Sequence, residues 1–200
     1  MEIASPSPES IERAVSILRA GGTVAHATET CYGLACDLGN QRAVRTVFTL
    51  KERPEHIPVS ALFESIEQAK MYVEWNELAE QLAHEHLPGP LTLVLPLLPG
   101  RRIFATPAGN STLGIRISSH PIAMALVQAF GAPVSTTSAN VHSQPNTYSP
   151  QEIESQFLHK EQKPDLILDS GILIKVASSS VVNLVGGSIE VLRKGPIRPK

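Results

Sequence analysis

Four cationic residues stand where they could grip an anion. Lys51 and Arg53 lie two apart just before Pro54, Arg116 sits among Leu113, Ile115 and Ile117, and Arg193 precedes Lys194 and Gly195. Arginine presents a planar fork of donors that matches carboxylate or phosphate, and lysine presents a compact charge. Each has an ordinary alternative. A basic residue at a helix C-terminus complements the dipole, which suffices for Lys51 and Arg53. Arg193 reads equally well as an exposed strand end. Arg116 is harder to dismiss, because a charged side chain in an apolar strand either faces solvent or pairs with an anion. Polar residues cluster at two places, Thr28-Glu29-Thr30 and Ser135 to Asn140 (STTSAN). Such groups hydrogen-bond a ligand or cap the next element. Glu29 alone could meet magnesium or an ammonium group.

Several familiar chemistries are missing. The chain has no GxxxxGK[ST] phosphate loop, no GxGxxG fingerprint, no GxSxG elbow and no HExxH pair. Its seven histidines are scattered. Cys31 and Cys36, five apart, make neither a CxxC motif nor a disulfide framework, and read as small side chains in a reduced compartment. With 17 basic and 19 acidic residues the net charge is −2, which disfavours a globally basic nucleic-acid binder but leaves a local basic pocket open. Two hundred residues suit one domain with a sizeable core. The apolar run Leu91 to Leu98 is broken by Pro96 and falls far short of the roughly 20 residues of a membrane helix. The opening MEIASPSPES lacks the basic and apolar regions of a signal peptide, so a cytoplasmic location without membrane contact is expected.

The elements that must position these residues alternate between helix and strand. Ser7-Pro8-Glu9 caps a helix carrying Ile11, Ala14, Val15 and Leu18, stopped by Gly21-Gly22. Thr23 to Ala27 reads as a strand and Thr28 to Gly39 mostly as loop. Asn40 caps a second helix ending near Lys51 to Arg53, since Pro54 disfavours helical Arg53. Val59 to Phe63 is a strand, and Ser65 and Asn76 open further helices, the second ended by Pro88-Gly89-Pro90. Leu91 to Leu95 and Thr112 to Ile117 are strands around a polar loop. His120-Pro121 opens a helix that runs to Phe130. Pro133 to Thr137 is a single strand entering Ser138-Ala139-Asn140, and Pro150 starts a short helix. Leu166 to Leu168, Ser179 to Leu184 and Ile189 to Arg193 complete the strands. The expected architecture is one α/β domain, residues 10–197 behind a tail of 1–9, with a twisted mixed sheet flanked by helices. Residues alone reach an anion pocket without an evident nucleophile.

Taken together, seven segments resemble one family. Gly22 to Leu34 (GTVAHATETCYGL) is similar to its opening motif, Lys51-Glu52-Arg53-Pro54 to its KxRP element, and Pro88 to Thr92 to its PGPxT turn. Gly114 to Ile117 with His120-Pro121, Ser138-Ala139-Asn140, Ser179 to Asn183 and Leu192 to Gly195 resemble the remaining motifs in order. The chain is thereby identified as a member of the YrdC-like family, the threonylcarbamoyl-AMP synthases, in a short single-domain form. The resemblance implies a basic concave cavity and synthesis of L-threonylcarbamoyladenylate and pyrophosphate from threonine, bicarbonate (or CO₂) and ATP with Mg²⁺, for tRNA modification. It implies that Thr30, Arg116, Thr136 and Ser179 hold threonine. Lys51, Arg53, Thr112, Ser138, Asn140, Asn146 and Arg193 would surround ATP, with Lys51, Arg53, Ser138 and Asn140 catalytic. Magnesium would be held mainly through the ATP phosphates rather than by a protein metal site. RNA and downstream threonylcarbamoyl-transfer proteins are the further partners it suggests. Ala27, Leu62, Gln144 and Asn183 depart from the family's usual proline, histidine, glycine and aspartate. Two other readings remain: a related carbamoyl or nucleotidyl transferase with another carbamate, and a non-enzymatic RNA-binding module.

Overall fold

The computed structural model describes residues 1–199. In chain order the elements are β1 (Glu2–Ala4), α1 (Pro8–Arg19), β2 (Val24–Ala27), β3 (Tyr32–Ala35), α2 (Gln41–Lys51), β4 (Ser60–Leu62), α3 (Ile66–Lys70), α4 (Glu77–His86), β5 (Leu91–Pro96), β6 (Thr112–Arg116), α5 (Pro121–Phe130), β7 (Val134–Ser135), β8 (Thr137–Ser138), α6 (Pro150–Phe157), β9 (Leu166–Leu168), β10 (Ser180–Asn183) and β11 (Glu190–Arg193).

Local chemistry explains the helices. Ser7 accepts from Ser10 N while the Ser10 side chain accepts from Ser7 N, a reciprocal capping box worth about 1 kcal/mol. Asn40, Ser65 and Asn76 cap α2, α3 and α4 through their side-chain oxygens. Gly131 closes α5 in the left-handed region that its missing Cβ permits.

The strands form two mixed sheets rather than the single one expected. One has the order β1-β9-β2-β3-β8, the other β11-β10-β5-β6-β4-β7. The segment expected as a tail supplies β1, whose three residues pair in parallel with Leu166, Ile167 and Leu168. The segment expected as loop contains β3, antiparallel to β2 with Gly33 opposite His26. The strand expected over Pro133 to Thr137 is divided. Val134 and Ser135 pair with β4, Thr137 and Ser138 pair with β3, and Thr136 carries the chain from one sheet to the other. Ser135 fastens this seam: its hydroxyl donates to Leu34 O and accepts from Cys36 N, both at 2.9 Å.

Two hydrophobic clusters divide the interior. One packs Leu93, Leu113, Ile115 and Val182 of the six-stranded sheet with residues of α2 and α4. The other joins α1, α5 and one side of the five-stranded sheet, and takes in Leu62. Strand alternation therefore decides the functional face. Leu91, Leu93 and Leu95 point to the core, so Thr92 and Val94 point the other way, as do Thr112, Gly114 and Arg116 on β6 and Val181 and Asn183 on β10.

Candidate active site

That second face of the six-stranded sheet forms the floor of a cavity of about 570 Å³. Its walls are Thr30 and Cys31 after β2, Thr136 and Ser138 at the seam, and the Arg53 and Arg193 side chains. Gly114 keeps the floor flat. A Cβ there would come within 3.0 Å of Ser60 Oγ and 3.2 Å of Thr92 Cγ2. Among the described residues three arginines and no carboxylate line the cavity, so it is concave and basic.

Arg116, at the end of β6, is almost entirely buried. Its Nη2 donates to Glu29 Oε1 at 2.8 Å and to Thr30 Oγ1 at 2.7 Å, with Thr28 Oγ1 farther away at 3.4 Å. Nε is buried without a protein partner. Burial opposes ionisation of Glu29, yet the guanidinium and the Ser118 hydroxyl hold its pKa below the usual value. Thr136 Oγ1, also buried and unpartnered, faces the same region.

Arg53 and Arg193 are held differently. Arg53 Nε donates to Ile57 O and Nη2 to Pro58 O, both at 2.9 Å. Arg193 Nε donates to Ser179 O and Nη2 to Ser179 Oγ, again at 2.9 Å. Ser179 Oγ is also 3.1 Å from Thr92 Oγ1. Ser179 therefore stands beside Arg193, although the motif match places the two in different substrate sets. Among the described residues neither arginine forms an ion pair. Burial and the nearby Arg193 charge lower the pKa of Arg53, and burial with the Arg116 charge lowers that of Arg193.

Lys51 does not line the cavity. Glu52 adopts φ 53, a left-handed helix terminus, so the neighbours on either side of it diverge. Arg53 reaches the cavity while Lys51 turns inward and is 1% exposed. Its Nζ donates to Ser138 O, to Asn140 O at 2.6 Å and to Asn140 Oδ1 at 3.1 Å. Three acceptors match the three protons of an ammonium. Burial and the nearby Arg53 charge push its pKa down to about 7. Asn140 likewise lies behind the wall. Its Oδ1 accepts from Ser138 Oγ at 2.6 Å and its Nδ2 donates to Gln144 O. Lys51 and Asn140 thus brace the turn that presents Ser138.

The other residues expected from the motifs, Thr30, Thr112, Thr136, Ser138, Asn146 and Ser179, line the cavity. Asn146 donates to Ser178 Oγ at 2.9 Å. The sequence reading overlooked Thr92, Cys31 and Ser178. Thr92 was available from strand alternation, and the other two adjoin residues already chosen. It also overlooked an apolar wall, Val94, Val181, Val185 and Leu192. Leu62 pairs with Arg116 in register but is buried in the aliphatic cluster under α1 and α5. Asn183 lines the cavity as a neutral amide and donates to Glu190. No group of three or more His, Cys, Asp or Glu residues is placed to hold a metal among the described residues. Nor is any described helix long and apolar enough to cross a membrane.

The family profile for Sua5, YciO and YrdC, described as Telomere recombination, matches residues 16–195. The chain belongs to the Sua5/YciO/YrdC family. Among curated members, it is 34% identical to the threonylcarbamoyl-AMP synthase of Enterobacter sp. (strain 638) over 151 residues, covering 74% of this chain and 79% of that protein. The mouse threonylcarbamoyl-AMP synthase is 32% identical over 206 residues, covering 98% and 71%. Pyrococcus abyssi Sua5 complexed with L-threonine superposes with a TM-score of 0.87 at 31% identity. That match covers 97% of this chain and 56% of Sua5, so this family member spans a little over half of the archaeal protein. Escherichia coli YciO superposes at 0.82 with 27% identity, covering 98% and 94%.

Proposed function

We propose that this chain is an L-threonylcarbamoyladenylate synthase. The observation that carries the reading is the division of charge within one cavity: one arginine already paired with a carboxylate, and two arginines paired only with neutral oxygens. An amino acid with one carboxylate suits the first environment. A triphosphate, with several charges to neutralise, suits the second. The curated relatives named for this activity, and the related Sua5 that binds L-threonine, support the assignment.

In this reading Arg116, Thr30, Thr136 and Ser179 hold threonine. Arg53, Arg193, Thr112, Ser138 and Asn146 surround ATP, and the wall of Val94, Val181 and Leu192 receives the adenine. Lys51 and Asn140 act through the turn they brace, with the Lys51 charge close behind the phosphates. The threonine amine attacks CO₂ derived from bicarbonate, loses a proton and becomes a carbamate. A carbamate oxygen then attacks the α-phosphorus, the bond to the β-phosphate oxygen breaks, and pyrophosphate leaves. Neither step needs a nucleophile from the protein, in keeping with a cavity of hydroxyls and cations. Alignment and charge stabilisation supply the rate. Mg²⁺ would arrive on the ATP phosphates, whose charge it shares with the arginines. The adenylate serves tRNA modification through RNA and transfer proteins beyond this chain.

Mass analysis of products from protein, threonine, bicarbonate and Mg·ATP tests the proposal. Threonylcarbamoyl-AMP and pyrophosphate are expected in equal amounts, each dependent on threonine and bicarbonate. ATP turnover that ignores threonine, or a product carrying another carbamate, overturns it.

A further inference from the structure

Glu29 lies outside the cavity lining, yet it determines what Arg116 shows to that cavity. The two protons on Nη2 are committed to Glu29 Oε1 at 2.8 Å and Thr30 Oγ1 at 2.7 Å. Nε is sealed in the protein. Nη1 therefore remains the nitrogen available to a ligand. Glu29 is fixed in turn. Its Oε2 accepts the Ser118 hydroxyl, whose oxygen accepts His120 N at 3.1 Å. His120 caps α5, where its Nδ1 accepts from Ile122 N. A chain of hydrogen bonds thus runs from the N-terminus of α5 to the guanidinium, and Ser118 within it is fully buried. The ion pair itself is scarcely exposed, 8% for the Arg116 side chain and 15% for Glu29, so its charges are weakly screened.

Charge arithmetic adds a second consequence. Arg116 with Glu29 is a neutral pair that still offers N–H donors, whereas Arg53 and Arg193 keep their full charge. Pyrophosphate and the phosphates of ATP are present whenever this reaction runs, and an unpaired arginine would take a phosphoryl group as readily as a carboxylate. We propose that Glu29 is the specificity-determining residue of the amino-acid subsite, positioning Arg116 for a single carboxylate and excluding phosphate by cancelling its charge. This rests on the proposed synthase reading and extends it to how one basic cavity sorts two kinds of anion.

The test compares wild type with Glu29→Gln, Glu29→Asp and Ser118→Ala. Kinetics are joined by threonine binding measured calorimetrically without ATP. For Glu29→Gln the threonine KM and Kd should rise at least about tenfold, with kcat changed by less than about threefold. Inorganic phosphate should become a competitive inhibitor against threonine at concentrations that leave wild type unaffected. Glu29→Asp keeps the charge and should restore phosphate exclusion. Ser118→Ala loosens Glu29 without removing its charge, so KM should rise while phosphate remains excluded. If Glu29→Gln does not fold, the other two variants still decide: unchanged threonine affinity in both overturns the positioning role. Unaltered threonine affinity and phosphate response in a folded Glu29→Gln overturns the whole inference. A wild type that makes no threonylcarbamoyl-AMP overturns the underlying reading instead, and the calorimetric arm then reports separately whether threonine binds.

Discussion

The two ends of the cavity solve the same problem, holding arginines out of bulk water, in opposite ways. At the proposed amino-acid end Arg116 is deeply buried and balanced by Glu29. At the proposed nucleotide end Arg53 and Arg193 are more open and lean on the oxygens of Ile57, Pro58 and Ser179. A buried charge without a partner is costly, so depth demands the carboxylate. Near the rim, water can hydrate the arginines until an anion displaces it, and their charge stays available. Depth and compensation go together, and both follow from where each arginine sits: Arg116 at the end of β6, Arg193 at the end of β11, and Arg53 just past the end of α2.

The broadest expected effect, on the fold and on both substrates, removes the contrast by disturbing a shared part. Gly195 packs so closely on the 178–180 backbone that an added Cβ would lie 2.4 Å from Ser178 O and from Ser180 N. Gly195→Ala must shift Ser179 together with Arg193, costing about 1–3 kcal/mol of stability and weakening both substrates, threonine through Ser179 and ATP through Arg193. Denaturant unfolding and calorimetry with each substrate separate the two losses.

Acid should strike first beneath the amino-acid end. His26 is fully buried near Arg116, Glu29 and His120, and burial pushes its pKa down to about 4 from an ordinary 6.5. It stays neutral in the fold while the unfolded chain takes a proton below about pH 6.5. Its contribution to stability is therefore complete above that pH and is lost as pH falls through 4, about 3 kcal/mol in all. Unfolding curves at pH 7 and 4.5 should show this loss, and His26→Leu should show a shallower one.

At the other end, Arg53→Ala should raise the Kd for ATP about 10- to 100-fold, as expected for a lost charge-assisted contact, and leave threonine binding within about twofold. Equal losses for both substrates would erase the distinction between the ends. The smallest signal is a proton. With a Lys51 pKa of about 7 in the free protein, an approaching triphosphate should raise it and draw in a fraction of a proton near pH 7. Calorimetry of ATP binding in buffers of different ionisation enthalpy measures that uptake, and Lys51→Met should abolish it.

Much of the fold was legible because its signals are local. Ser7, Asn40, Ser65, Asn76 and His120-Pro121 cap the helices predicted from them. The failures are all long-range. β1 becomes a strand only when β9, far along the chain, lies beside it, and nothing within Glu2–Ala4 carries that information. Gly33 interrupts the residue pattern of β3, whose existence depends on pairing to β2 and β8. In the site, Arg116 stood out because a charge among alternating apolar residues needs a reason. The inward turn of Lys51 was hidden, since a basic residue at a helix end has an adequate explanation in the dipole, and the redirection comes from the left-handed Glu52. Glu29 was visible as a residue, but its pairing with a strand far downstream was not.

The crossing at Thr136 links architecture to catalysis mechanically. Neighbouring residues on either side of it belong to different sheets. Relative sliding of the sheets would therefore alter the spacing between Ser138 and the strand floor beneath it. Ser138 therefore owes its place above the cavity floor to the same crossing that joins the two sheets.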